Sequence, residues 1–166
     1  MVHQICAFTG HRAKKVLGIC NERSPAFLMV HCALEAAILQ AAAEGYTIFR
    51  SGGAMGMDLW CAEIVLHLKA EYPQLQIHFI LPCETQANDW PENWRERYFR
   101  ALAEADKVTY IQARYTHDCM FRRNRFLVDG AQLVIAYYDG RPTGGTAYTV
   151  RYATKKGVPV RNINPL

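Results

Sequence analysis

The sequence predicts a doubly wound α/β fold, a mainly parallel sheet with helices on both faces, as one domain over residues 1–166. Short apolar, β-leaning runs alternate with stretches of helical periodicity along the whole chain, an alternation that buries a parallel sheet between helices. Glycine-rich junctions follow several of the strand-like runs, where the backbone must turn sharply into a helix. A chain of 166 residues, 51% hydrophobic and 20% charged, suits one globular core and carries no low-complexity run.

The first strand is read over Val2 to Phe8, ending at Thr9-Gly10-His11-Arg12. Ser24-Pro25 supplies a helix N-cap and a first-turn proline, and Phe27, Val30, Leu34, Ile38 and Ala41 recur at helical spacing up to Gly45. Tyr46 to Arg50 is the second strand. It breaks at Ser51-Gly52-Gly53-Ala54-Met55-Gly56-Met57-Asp58, before a helix over Leu59 to Glu71. Gln76 to Leu81 forms the third strand. A helix opened by Pro91 places Trp94, Tyr98, Phe99 and Leu102 inward, and Lys107 to Ile111 is the fourth strand. A helix over Asp118 to Asp129, a strand over Leu133 to Tyr137, a loop from Asp139 to Gly145, a helix to Lys156 and a strand over Val158 to Ile163 complete the chain. In such sheets a ligand lies beyond the carboxyl ends of the strands, but the strand order is not readable from these residues.

Composition narrows the function. The net charge of +4 accommodates an anionic ligand and falls short of the basic stripe of a dedicated nucleic-acid binder. Six cysteines stand without a CxxC pair and are read as free thiols, which persist in a reducing cytosol. The N-terminus lacks a basic region followed by an apolar one, and no stretch reaches about 18 apolar residues, so a cytoplasmic protein without membrane contact is expected. No HExxH or comparable spacing is present, so no metal is expected, and no cofactor.

Two loops carry the chemistry. Ser51, Gly52, Gly53, Ala54 and Gly56 precede a helix, so their amides and the helix dipole suit a phosphate; a tight turn would require the same glycines. The loop has no Walker lysine and does not match GxGxxG. The second loop, Asp139 to Thr146, repeats the arrangement with Gly144, Gly145 and Thr146 at a helix start, and the coincidence of two such loops favours a ligand over a turn. His11 and Arg12 follow the first strand and suit a phosphate or a carboxylate. Arg122, Arg123, Asn124 and Arg125 point about 100° apart on a helix and cannot all reach one ligand. Asp58 has the position of a helix cap, a ribose ligand or an acid/base group. Trp90, Trp94, Tyr98, Phe99 and Tyr115 suit stacking on a base or core packing.

Taken together, FTGHR at residues 8–12, SGGAMGMD at 51–58, RRNRFLVDGAQLVIAYYDG at 122–140 and PTGGTAYTVRYATKKG at 142–157 resemble the SLOG superfamily, in its YpsA-like branch, over nearly the whole chain. The resemblance implies a Rossmann-like fold and a nucleotide-related ligand. Relatives include the DNA-processing protein DprA, the LOG phosphoribohydrolases, and defence sensors that bind NAD-derived nucleotides. It also selects Arg123 and Asn124 from their basic cluster. LOG enzymes carry PGGxGTxxE; Gly145 and Thr146 match its GT, but Thr149 stands at the place of the glutamate, and the spacing of Glu63, Glu84 and Asp58 supports none of them as its substitute. The expectation is therefore a sensor, regulator or sequestering protein for a nucleotide or NAD/ADP-ribose-derived small molecule, without a catalytic residue, and a homo-oligomer by resemblance. A nucleotide N-glycosidic hydrolase and a DprA-like binder of single-stranded DNA are the alternatives.

Overall fold

A computed structural model describes residues 4–17 and 21–164. Among the described residues are six strands and six helices, with two helices in succession after the first strand: β1 (Gln4–Gly10), α1 (Ala13–Leu17), α2 (Pro25–Ala43), β2 (Tyr46–Ser51), α3 (Met57–Leu68), β3 (Gln76–Leu81), α4 (Glu92–Glu104), β4 (Lys107–Tyr110), α5 (Cys119–Val128), β5 (Leu133–Tyr137), α6 (Gly145–Lys155) and β6 (Val160–Asn162). All strand pairs are parallel, in the order β4-β3-β2-β1-β5-β6. The doubly wound α/β reading holds. The beginning of the expected first strand, Val2 and His3, lies outside the described residues, as does Cys20; Cys6, Cys32, Cys61, Cys83 and Cys119 are free thiols.

Strand residues alternate between two cores because successive side chains leave a strand on opposite faces. Cys6 and Phe8 of β1 and Leu133, Ile135 and Tyr137 of β5 join Val30, Leu34 and Ile38 of α2, Trp60 and Ile64 of α3, and Trp94 and Tyr98 of α4. Ala7 and Val134 point the other way, onto Leu127 and Val128 of α5 and Ala153 of α6. Layers of helices on both faces explain why β5 reads as an unbroken apolar run and is buried throughout.

Local chemistry sets the boundaries. The Ser24 side chain accepts the Phe27 amide at 3.2 Å and caps α2, with Pro25 at its first position. Three expectations need correction. The five-residue α1, too short to leave a periodicity, follows β1 directly. Phe99 is 49% exposed, since its neighbour Tyr98, about 100° away on the helix, takes the inward position. And α2, at 19 residues, is long and apolar enough to cross a membrane by length and composition alone; its buried Val30, Leu34, Ile38 and Ala41 nonetheless belong to the core against the sheet.

Candidate functional site

The strand order places β1 between β2 and β5. The chain winds from β1 outward to β4, then returns to the other side of β1 for β5 and β6, so the loops after β1 and β5 diverge. Such a reversal opens a crevice at the carboxyl ends of the two strands. A cleft of about 510 Å³ lies there, lined by Thr9 to Arg12 after β1, Ala54 and Asp58 from the loop into α3, Arg123 and Asn124 of α5, and Gly144 to Thr146 at the start of α6. The buried polar residues of the described chain are Thr9, His11, Ser51, Asp58, Arg123, Asn124, Thr146 and Thr149. All but Ser51 and Thr149 line this cleft. Polar groups are costly to bury, so their concentration around one hollow marks it as the chemically specialised part of the fold.

The two glycine loops contribute differently. In the first, the Gly53 amide donates to Ser51 Oγ at 3.2 Å, the Ala54 amide to Asp58 Oδ2 at 3.3 Å, and the Met57 amide to the His11 carbonyl at 3.4 Å. Ser51 Oγ itself donates to the Asp58 carbonyl at 2.8 Å. Ser51, Gly52, Gly53 and Gly56 stand behind the cleft wall and do not line it. Their glycines serve close packing. A Cβ on Gly52 would lie 2.5 Å from Arg123 Nη1, and one on Gly56, whose φ is +107°, would lie 2.3 Å from the Ala13 backbone nitrogen. Asp58 therefore closes this loop from within instead of capping α3, for which no side-chain cap bond forms.

Arg123 reaches through the gap that Gly52 leaves. Its Nη1 donates to the Gly52 carbonyl at 2.6 Å, and its Nε to Asn124 Oδ1 at 2.8 Å. Burial pulls the Arg123 guanidinium below its usual pKa, with Asp58 opposing, and burial pushes the Asp58 carboxyl above the usual range, with Arg123 opposing. The other members of the basic cluster turn elsewhere: Arg122 donates to Gln112 Oε1 and Arg125 to the Tyr148 hydroxyl. The helical geometry thus divides the cluster, with Arg123 and Asn124 facing the cleft.

The second loop is open. Residues 139–145 are exposed apart from half-buried Tyr138 before them, and a Cβ on Gly144 would meet nothing within 4 Å although its φ is +99°. No side chain caps α6. Its first intrahelical bond runs from the Tyr148 amide to the Gly144 carbonyl, leaving the preceding amides without a helical acceptor beside the cleft. Such a helix end attracts anions through its free N–H groups and its dipole. Thr149 lies one turn deeper, its hydroxyl donating to the Gly145 carbonyl at 2.9 Å.

His11 ties the loops together. Its Nε2 accepts the Asp139 amide at 3.2 Å, and Asp139 Oδ1 also lies 3.2 Å away. Burial lowers the His11 pKa, with Lys15 adding to the effect and Asp139 opposing it.

Sequence reasoning missed Thr9, Lys15, His117, Met120 and Phe121 on the cleft wall. Thr9 lies inside the FTGHR motif and was within reach; Lys15 comes from α1, His117 from the approach to α5, and Met120 and Phe121 from the first turn of α5, ahead of its RRN motif. Of the proposed stacking residues, Tyr115 lines the cleft, whereas Trp94 and Tyr98 are core.

Comparison with known proteins agrees with this architecture. The YspA SLOG family (YpsA) profile matches residues 6–164. A UPF0398 protein of Bacillus cereus strain B4264 is 31% identical over 156 residues, covering 93% of this chain and 84% of the relative, and a UPF0398 protein of Bacillus thuringiensis strain Al Hakam matches to the same extent. Among solved structures, TM1055 aligns with a TM-score of 0.58 at 15% identity, over 95% of this chain and 72% of the other. DNA processing protein A from Helicobacter pylori, solved for its single-stranded DNA binding mode, aligns with a TM-score of 0.61 at 18% identity, over 95% of this chain and 63% of the other. These two share the fold. With the family profile running from β1 to beyond β6 and through all the motifs that build the cleft, the chain belongs to the YspA SLOG family.

Proposed function

We propose that this chain binds a nucleotide or nucleotide-derived small molecule in the cleft between β1 and β5, as a sensor or sequestering protein. The observation that carries the reading is the gathering of Thr9, His11, Asp58, Arg123, Asn124 and Thr146 beside the uncapped start of α6. The phosphate sits at the amides of Gly144, Gly145 and Thr146, with Arg12 and Lys15 adding positive charge. Asp58 accepts from ribose hydroxyls, and Tyr115 and Phe121 offer the apolar wall that a base requires. The first glycine loop takes part indirectly, by positioning Arg123 and Asp58. Unpaired thiols fit a reducing compartment.

Native mass spectrometry of the protein purified from cells, followed by denaturation and identification of the released molecule, tests this reading and reports self-association, which we expect, in the same spectrum. A nucleotide recovered unchanged supports it. A protein that carries none and takes up none from a panel of AMP, ATP, NAD and ADP-ribose contradicts it.

A second reading, hydrolysis of an N-glycosidic bond, is favoured by one observation: the buried Asp58, a carboxyl with a raised pKa, lies on the cleft wall and offers a general acid that α6 lacks at Thr149. Free base and ribose phosphate released from a panel member, and lost in Asp58→Asn, would establish it. Single-stranded DNA binding of the kind named for the Helicobacter pylori neighbour would instead give strongly salt-dependent affinity without nucleotide competition.

A further inference from the structure

Away from the cleft, α2 is apolar on both of its sides. Its buried Val30, Leu34, Ile38 and Ala41 hold it to the sheet, at the end of the row α4-α3-α2 that covers this face. A helix so placed ordinarily carries polar side chains on its outer side. At about 100° per residue, the side opposite Leu34 is formed instead by Pro25, Leu28, Met29, Cys32, Ala36 and Ala43, all exposed, with Gln40 at its edge. Leu28 is 58% and Met29 60% exposed. His31 and Glu35 pair at 4.0 Å on one flank, so the outer strip holds no charged side chain over a length of about 28 Å. An exposed apolar strip of that extent marks an interface.

The strip also has a direction. Its large side chains, Leu28 and Met29, stand near the start of α2, and its small ones, Ala36 and Ala43, stand towards the end. The helix that fits it best carries the same gradient reversed, which a second copy of α2 does when the two run antiparallel. With a two-fold axis at the level of Leu34, Met29 of one copy drops between Ala36 and Ala43 of the other, and Cys32 meets Ala36. Small residues at the centre let the two backbones approach closely. The antiparallel arrangement opposes the helix dipoles and sets the exposed Arg23, just ahead of one helix, beside the exposed Glu44 at the end of the other. A parallel pair would set Arg23 against Arg23 and crowd the large side chains at one end. A lipid surface would favour lysines and arginines along the flanks, where this strip has Glu35 and Glu44.

We propose that two copies of this chain pair through their α2 helices, antiparallel about a two-fold axis, as a closed dimer. The expectation of self-association named no face; α2 supplies one. It also fixes where the clefts go. Because β1 and β2 are parallel, α2 runs back from the carboxyl ends of the strands, so the two clefts open at opposite ends of the helix pair. No residue of α2 lines the cleft, and each copy builds its own without the other.

Sedimentation velocity of the intact chain over a range of concentrations tests the pairing, and a dimer is expected. Ala36→Glu sets a carboxylate in the middle of the strip and is expected to weaken the dimer at least about tenfold, with the melting temperature and circular dichroism of the wild type. Cys32→Lys alone does the same. The two substitutions together set opposite charges across the axis and restore the dimer, a rescue that a merely structural effect would not give. A short bismaleimide joins wild-type chains into covalent dimers, and Cys32→Ser prevents it. A chain that stays monomeric, or a dimer that Ala36→Glu leaves intact, overturns the proposal. A monomer that sediments with phosphatidylcholine vesicles, and no longer does so as Ala36→Glu, overturns it in favour of a lipid surface.

Discussion

The loop from β2 into α3 and the loop from β5 into α6 look alike as sequences, each glycine-rich and each opening a helix, yet they do opposite things. The first is buried, and its Gly53, Ala54 and Met57 amides donate to Ser51, Asp58 and His11. The second is exposed and reaches the cleft with an uncapped helix end. Glycine serves close approach in one and an open backbone path in the other. A glycine-rich strand-to-helix junction is therefore evidence of a phosphate site only where its amides remain available.

The contrast breaks most sharply at Gly56. Gly56→Ala combines a backbone conformation that alanine avoids with a clash against the Ala13 backbone, and is expected to destabilise the fold by at least about 3 kcal/mol. Urea unfolding measures it; a loss under about 1 kcal/mol would mean that the loop is not tightly packed. Gly53 is equally unsuited to a binding test, since a Cβ there would lie 2.9 Å from Leu81 Cδ2 in the core. Arg123→Met removes the charged donor to the Gly52 carbonyl and is expected to cost on the order of 2 kcal/mol in the same assay, and to weaken nucleotide binding as well.

Smaller effects separate the loops further. Gly144→Ala meets open space, so its cost is conformational alone, about 1–2 kcal/mol. Gly145→Ala is cleaner: its Cβ would lie an ordinary 3.6 Å from Asn124 Nδ2, stability stays within about 0.5 kcal/mol, and the methyl at the helix entrance weakens nucleotide binding about tenfold. Unaltered affinity in this folded variant would remove the phosphate from α6.

The smallest effect is that of pH. His11 has a lowered pKa in the fold, so the unfolded chain binds the proton more readily. Its contribution is present above the ordinary histidine value of about 6.5 and is lost as pH falls from there through the folded-state value. Melting temperature should fall over that interval, and His11→Gln should flatten this part of the profile; an unchanged slope would separate His11 from the loop it joins.

Much of this was legible in the residues. The Ser24-Pro25 cap, the helical spacing from Phe27 to Ala41 and the apolar run at Leu133 to Tyr137 define their elements because local chemistry and burial agree there. Strand order was not legible, since it depends on which strand edges pair at long range. The division of labour between the loops was hidden for a related reason: whether the Gly53 amide is free depends on where the Ser51 hydroxyl points, and whether Gly52 is needed depends on Arg123, 71 residues away. Tyr98 and Phe99 show the same limit on a smaller scale, as two adjacent aromatics of which only the first faces inward.

An amide chemical-shift titration with the nucleotide that binds tests the central claim most directly, because it reads both loops in one experiment. The account predicts large, saturable shifts at Gly144, Gly145 and Thr146 and little change at Gly53, whose amide is bonded to Ser51 Oγ behind the cleft wall. The reverse pattern, or shifts at neither loop, would contradict it.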